Sequence, residues 1–223
     1  LPTKGSDNLI PYATKLYNDR DNEDYAAFFK KIFARSCTPH MIGVFDTVSS
    51  LGRLYSHLRF FNQKLTSGIT HGYHAVSIDE RRPKFPVSLW DENQAESDQT
   101  IEQVWFAGVH SDIGGGYARK GLSNITLEWM LGKCDKAGLV IDRAGLDIHP
   151  DPEVEQHASL TWRWRLLGLL TAHWPTGSNP RTIPPGAYIH NSVSRRMEAI
   201  PEYQLELPDN YQFVGTLNGD NSS

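Results

Sequence analysis

The sequence predicts an α/β domain, a mostly parallel sheet flanked by helices, and two segments carry that prediction. In residues 101–109 (IEQVWFAGV) a short run rich in β-branched and aromatic residues leads directly into His110-Ser111-Asp112-Ile113-Gly114-Gly115-Gly116-Tyr117. A strand that delivers a histidine, three glycines and then a helix is how an open α/β sheet holds reactive groups at the carboxyl ends of its strands. The glycines let the backbone turn tightly with φ > 0, and a histidine there is placed to move protons near neutral pH. The second segment, residues 41–45 (MIGVF), likewise ends in a polar residue, Asp46, followed by the small-residue turn Thr47-Val48-Ser49-Ser50. Each has a structural alternative. His110 can be a satisfied histidine in a glycine-rich turn, and Asp46 an N-cap or turn residue.

The remaining elements follow in chain order. Residues 9–20 and 23–35 read as a helix pair, with Asp21-Asn22 as break and N-cap. After the strand at 41–45, a helical connection carries Arg53, Leu54, Tyr55, Leu58 and Phe60. A further helix is predicted over 70–79 and stopped by Pro83. Residues 85–90 read as a short strand or extended segment, and the polar, acidic stretch 91–100 as a surface loop. A strand over 101–107 and the His110 turn come next. Ser123 then caps a helix that ends at Gly138. From Leu139 the chain is rich in Pro and Trp and reads as irregular wrapping, with short helices near 153–158 and 189–198.

Composition bounds the function classes. A chain of 223 residues predicts one domain, 1–223, large enough for a real core. Its formal net charge of −4 indicates neither a nucleic-acid footprint nor an electrostatic membrane anchor. No apolar stretch approaches the ~20 residues that span a bilayer. The alternation Trp162-Arg163-Trp164-Arg165 before Leu166, Leu167, Leu169 and Leu170 is amphipathic, and predicts peripheral membrane contact or an acyl-chain pocket. Most of the six tryptophans, Trp90, Trp105, Trp129, Trp162, Trp164 and Trp174, are expected in core or lid packing, with a subset from the Trp162–Trp174 stretch as the alternative lining of an acyl-chain pocket. Cys37 and Cys134 lack any framework and are expected as free, buried thiols. The cytoplasmic and secreted compartments are not distinguished.

Two strand ends offering a carboxylate and then an imidazole fit the acid and base of a nucleophile–acid–histidine triad in chain order. The segments Gly43–Gly52 (GVFDTVSSLG), His74–Arg82 (HAVSIDERR) and Val104–Tyr117 (VWFAGVHSDIGGGY) resemble, in that order, one family. It is the formerly uncharacterised α/β-hydrolase domain family that includes phospholipase effectors of bacterial type VI secretion systems. The tail is similar too, in Ile189-His190-Asn191-Ser192-Val193 and Leu207-Pro208-Asp209-Asn210-Tyr211, so that the resemblance runs from about residue 8 to about residue 213. The resemblance implies an α/β-hydrolase-like fold and an esterase or lipase acting on a small-molecule or lipid ester without a cofactor. Asp46 is then the triad acid, His110 the triad base, and the nucleophile a serine on a Gly-Phe-Ser-Arg-Gly elbow.

That elbow is not in these 223 residues. Ser49, Ser50, Ser67 and Ser111 lie outside any Gly-x-Ser-x-Gly frame. The opening Leu1-Pro2-Thr3-Lys4-Gly5-Ser6-Asp7 reads as a loop cut into. The expectation is therefore the C-terminal portion of a hydrolase whose upstream segment supplies the first strands, the oxyanion-hole backbone and the serine. The alternative is a non-catalytic module of the same fold that binds lipid or a protein partner. A sheet without its first strands is expected to expose an unpaired edge.

Rival residues remain. Asp79, in Asp79-Glu80-Arg81-Arg82, is the second candidate for the triad acid, against a structural ion-pair network. Asp112 is expected to accept from the backbone amides of the Gly114–Gly116 turn, or to bind a neighbouring imidazole. Gly114 and Gly115 are supporting candidates, and the glycine run has the makings of an anion nest. His71 and His74, at i, i+3, lack a third ligand at metal spacing, and no P-loop frame points to a nucleotide.

Overall fold

Apolar segments buried on both faces build the centre of the molecule. The computed structural model describes residue 5 and residues 7–18, 23–35, 37–48, 64–82, 85–159 and 181–216. Five strands, β1 (Met41–Phe45), β2 (His71–Ser77), β3 (Thr100–Phe106), β4 (Tyr188–His190) and β5 (Gln212–Val214), form one sheet in sequence order. Every neighbouring pair is parallel. The fold class is thus α/β, and all its strand carboxyl ends lie along one rim.

Helices α1 (Ile10–Asn18) and α2 (Glu23–Phe33) precede the sheet. A short α3 (His110–Gly114) and α4 (Gly121–Lys136) follow β3, and α5 (Asn191–Ala199) follows β4. Period-2 alternation along the strands splits the core into two layers. Tyr73, Ala75, Val104 and Phe106 meet Leu122, Ile125, Trp129 and Met130 of α4 on one face. Val76, Trp105 and Ile189 meet Val193 of α5 on the other. Burying both faces is what a parallel sheet requires.

The segment predicted as a helix over 70–79 is the central strand β2. Its run Gly72-Tyr73-His74-Ala75-Val76-Ser77 is buried without interruption. A strand buried on both faces loses its alternation and cannot be told from a buried helix by periodicity. His71 stacks with Tyr73, whereas His74 meets Trp90 edge-on from the opposite face, which removes the shared helical face. The wrapping after Leu139 is also more regular than predicted, because it adds β4 and β5. At three residues each, these strands are too short to leave a pattern. No helix forms near 153–158: the carbonyls of Pro152 and Val154 accept from the Arg196 guanidinium instead.

Smaller differences complete the comparison. Helix α4 starts at Gly121 after Lys120, and the Ser123 hydroxyl donates to the Lys120 carbonyl from within the first turn. Gly138 takes φ +88 just past the helix, as a C-terminal stop should. The 91–100 loop contains a 3₁₀ turn, Glu92–Gln94, capped by Asp91. Cys37 is exposed, not buried, and Cys134 is half-buried. The connection at 53–60 and the Trp162–Trp174 stretch lie outside the described residues.

Among the described residues β1 pairs only with β2, and its Met41, Ile42, Val44 and Phe45 are part-exposed. Helices α1 and α2 leave Tyr12, Tyr25 and Phe28 more than half exposed. Among the described residues, no helix is long and apolar enough to cross a membrane.

Candidate active site

The parallel register brings the carboxyl ends of β1, β2 and β3 together, and with them Asp46, Asp79 and His110. Asp46 follows β1 directly, adopts φ +45 and is fully buried. Left-handed backbone is costly outside glycine, though Asp tolerates it better than most. The conformation is held by the Asp46 amide donating to the Ala75 carbonyl at 2.7 Å. It is also held through Thr47, whose amide donates to His74 Nε2 at 3.0 Å. His74 in turn has Nδ1 within 3.4 Å of Gln103 Oε1. Burial pushes His74 down to about 4, so it is neutral and its Nε2 is free to accept.

Four donors converge on the Asp46 carboxylate. Oδ1 accepts from the Ser77 amide at 2.9 Å and from Arg181 Nη1. Oδ2 pairs with His110 Nδ1 at 2.6 Å and accepts from Arg181 Nη2 at 3.1 Å. Burial alone would raise this carboxyl. The hydrogen bond to His110, with Arg181's hydrogen bonds and charge and the Ser77 amide, outweighs burial and holds it below its ordinary value. Asp46 is therefore an ionised acceptor that fixes a histidine tautomer with the proton on Nδ1.

His110 opens α3 and is held on three sides. Its ring nitrogen meets Asp46, and its amide donates to Glu80 Oε2 at 3.2 Å. The Phe85 ring lies edge-on at 5.2 Å. Glu80 is itself clamped by Arg82, whose Nε and Nη2 each donate at 2.9 Å, and the Arg82 guanidinium covers Phe85 at 3.7 Å. With Nδ1 engaged, Nε2 is left for the open side, where the side chain is 30 % exposed. That side is a cleft of about 440 Å³ lined by Gly43, Val44, Phe45, Thr47, His110, Ser111, Gly114 and Gly115. The cleft's other wall is β1, through Gly43, Val44 and Phe45.

Asp79 and Asp112 lie elsewhere. Asp79 Oδ2 accepts from the Gly108 amide at 2.7 Å and from the Tyr203 hydroxyl at 2.9 Å, tying β2 to β3 and to the C-terminal segment. Burial raises its carboxyl despite those bonds. Gly108 can donate there because it takes φ +116, and a Cβ would stand 2.6 Å from Asp112 Cβ. Of the ion-pair network expected around Asp79, the described residues show the Glu80–Arg82 pair, while Asp79 itself is held by the Gly108 amide and the Tyr203 hydroxyl. Asp112 accepts from the amides of Val109 and His157, not from the glycines, and its Oδ1 meets His157 Nδ1 at 2.7 Å. Its imidazole partner is thus His157, which stacks on Tyr117.

The sequence does not single out Arg181 or His157, and it marks Glu80 only as a member of an ion-pair network around Asp79. Arg181 stands 135 residues from Asp46, and no local pattern marks it. Among the described residues, no group of three His, Cys, Asp or Glu side chains is placed to hold a metal ion.

A family model described as "T6SS, Phospholipase effector Tle1-like, catalytic domain" matches residues 4–133, more than half of the chain and all of the segment carrying Asp46 and His110. No curated protein and no solved structure matches.

Proposed function

The chain belongs to the Tle1-like family of type VI secretion phospholipase effector catalytic domains, and from that premise we propose that it carries the acid and base of a serine acyl-ester hydrolase acting on a phospholipid. The observation that carries the reading is the Asp46–His110 pair at 2.6 Å with the far side of the imidazole on an open cleft. The nucleophilic serine comes from chain outside these 223 residues, on a strand that borders the unpaired side of β1.

In this reaction His110 Nε2 removes the proton from the serine hydroxyl as its oxygen attacks the ester carbonyl. Nδ1 keeps its proton directed at Asp46, whose charge stabilises the imidazolium. The imidazolium then returns the proton to the leaving alcohol, and the acyl-serine forms. Water repeats the sequence, releasing the fatty acid and regenerating the serine. Asp46 suits this role better than Asp79, being ionised and bonded to the base, whereas Asp79 is spent on Gly108 and Tyr203.

The test is hydrolysis of phospholipid vesicles by the full-length protein. His110→Ala should lower kcat by roughly 10⁴-fold or more. Wild-type turnover from that variant rules out the assignment.

A further inference from the structure

We infer that Arg181 is the positioning residue of the Asp46–His110 pair: it fixes the rotation of the Asp46 carboxylate and weakens the pair's hold on a proton. This rests on the hydrolase reading above and adds a residue from beyond the segment that the family model matches. Arg181 Nη1 and Nη2 donate to the two different oxygens of Asp46, so the planar fork meets the carboxylate edge in a bidentate pair. The guanidinium cannot swing away. Nη1 also donates to the Ser77 carbonyl at 3.1 Å and Nη2 to the Phe85 carbonyl at 2.7 Å, and the Arg181 amide donates to the Ile78 carbonyl at 3.3 Å. Its side chain is 9 % exposed and does not line the cleft, so it acts through Asp46 and not on substrate.

The charge arithmetic gives the direction. With Arg181 in place, Asp46 and Arg181 cancel, and protonating His110 adds net positive charge beside a buried, already neutral pair. Without Arg181, the imidazolium would face an uncompensated carboxylate and be favoured. Arg181 therefore keeps the imidazolium ready to give its proton to the leaving alcohol. Among the described residues, two further titratable groups adjoin the pair. Glu80, which accepts from the His110 amide, is neutralised by Arg82. His74, behind Thr47, is pushed down to about 4 by burial and remains uncharged in the working range.

The experiment is a pH–rate series on the full-length protein with Arg181→Gln, Arg181→Lys, Asp46→Asn and the Asp46→Asn/Arg181→Gln double variant. Arg181→Gln should lower kcat by about 10- to 100-fold with KM unchanged, and move the acid limb of kcat/KM upward by roughly one pH unit. Arg181→Lys keeps the charge without the fork, so the limb should stay in place while kcat falls. In the Asp46→Asn background Arg181→Gln should cost no further factor, because the residue acts through that carboxylate. An unmoved limb with wild-type kcat overturns the proposal, as does a full additional loss in the double variant. Should Arg181→Gln fail to fold alone, folding of the double variant supports the pairing and an unfolded double variant overturns it. Full activity in His110→Ala would instead defeat the hydrolase reading, whatever the Arg181 variants do.

Discussion

Two histidines in this molecule are each held by a buried aspartate at nearly the same distance, and their surroundings differ. His110 Nδ1 meets Asp46 at 2.6 Å and His157 Nδ1 meets Asp112 at 2.7 Å. The His110 ring lines an open cleft, and its acid is also gripped by a guanidinium. The His157 ring is stacked 3.7 Å from Tyr117, and its acid is shared with the Val109 and His157 amides, which fasten α3 to the 151–159 segment. A carboxylate–imidazole pair is thus not a catalytic signature by itself. What separates the two is the ring's neighbour, an open cleft at His110 and the stacked Tyr117 ring at His157, and the other donors that hold the acid.

The sharpest way to break this comparison is to make the same substitution in both acids. Asp46→Asn should reduce kcat on a phospholipid by about 10³- to 10⁴-fold, because it presents a donor to Nδ1 and favours the wrong tautomer. Asp112→Asn should stay within about tenfold of wild-type activity and lower stability by about 1–3 kcal/mol, as the carboxylate's bond to His157 Nδ1 is lost while one oxygen still accepts from the Val109 and His157 amides. Parallel kinetics and denaturant titrations check both. Equal rate losses would mean that the two pairs are not functionally distinct.

A finer contrast is between Asp46 and Asp79, on neighbouring strand ends. Burial raises Asp79, so its folded value lies above its unfolded one. Its stabilising influence is complete below the unfolded value and is lost as pH rises through the folded one. One oxygen accepts both the Gly108 and Tyr203 bonds, and asparagine retains such an oxygen. Asp79→Asn should therefore keep wild-type turnover and leave stability unchanged or slightly higher at neutral pH, by about 1 kcal/mol at most. A large rate loss would move the triad acid to Asp79.

The smallest effect concerns acid stability. His74 and His190 are both pushed down to about 4 by burial, from an ordinary value of 6.5. Their folded values lie below their unfolded ones, so the stability they contribute is complete above about 6.5 and is lost as pH falls toward 4. Each contribution is at most about 3 kcal/mol. Asp46 adds to the loss at lower pH, since its depressed carboxyl favours the folded state above its unfolded value. Denaturation midpoints should fall across this window. His190→Asn, which preserves an N-cap acceptor for α5, should flatten the slope.

Sequence legibility follows the same division. Asp46 and His110 could be found because each ends an apolar run in a parallel sheet, where register alone brings strand ends together. The order and parallel sense of β1 and β3 were readable for that reason. β2 was not, because burial of both faces erased its alternation and the His71/His74 spacing imitated a helix. Arg181 was invisible because its meaning lies in a contact 135 residues away. His157 was equally hidden, since only the folded 151–159 segment carries it to Asp112.

The measurement that bears most directly on the central claim is fluorophosphonate labelling of the full-length protein, read by intact mass and peptide mapping. One adduct is expected, on a serine outside these 223 residues, formed rapidly by the wild type and slowly by His110→Ala. No adduct, or labelling indifferent to His110, would contradict it and leave the Asp46–His110 pair as part of a non-catalytic module.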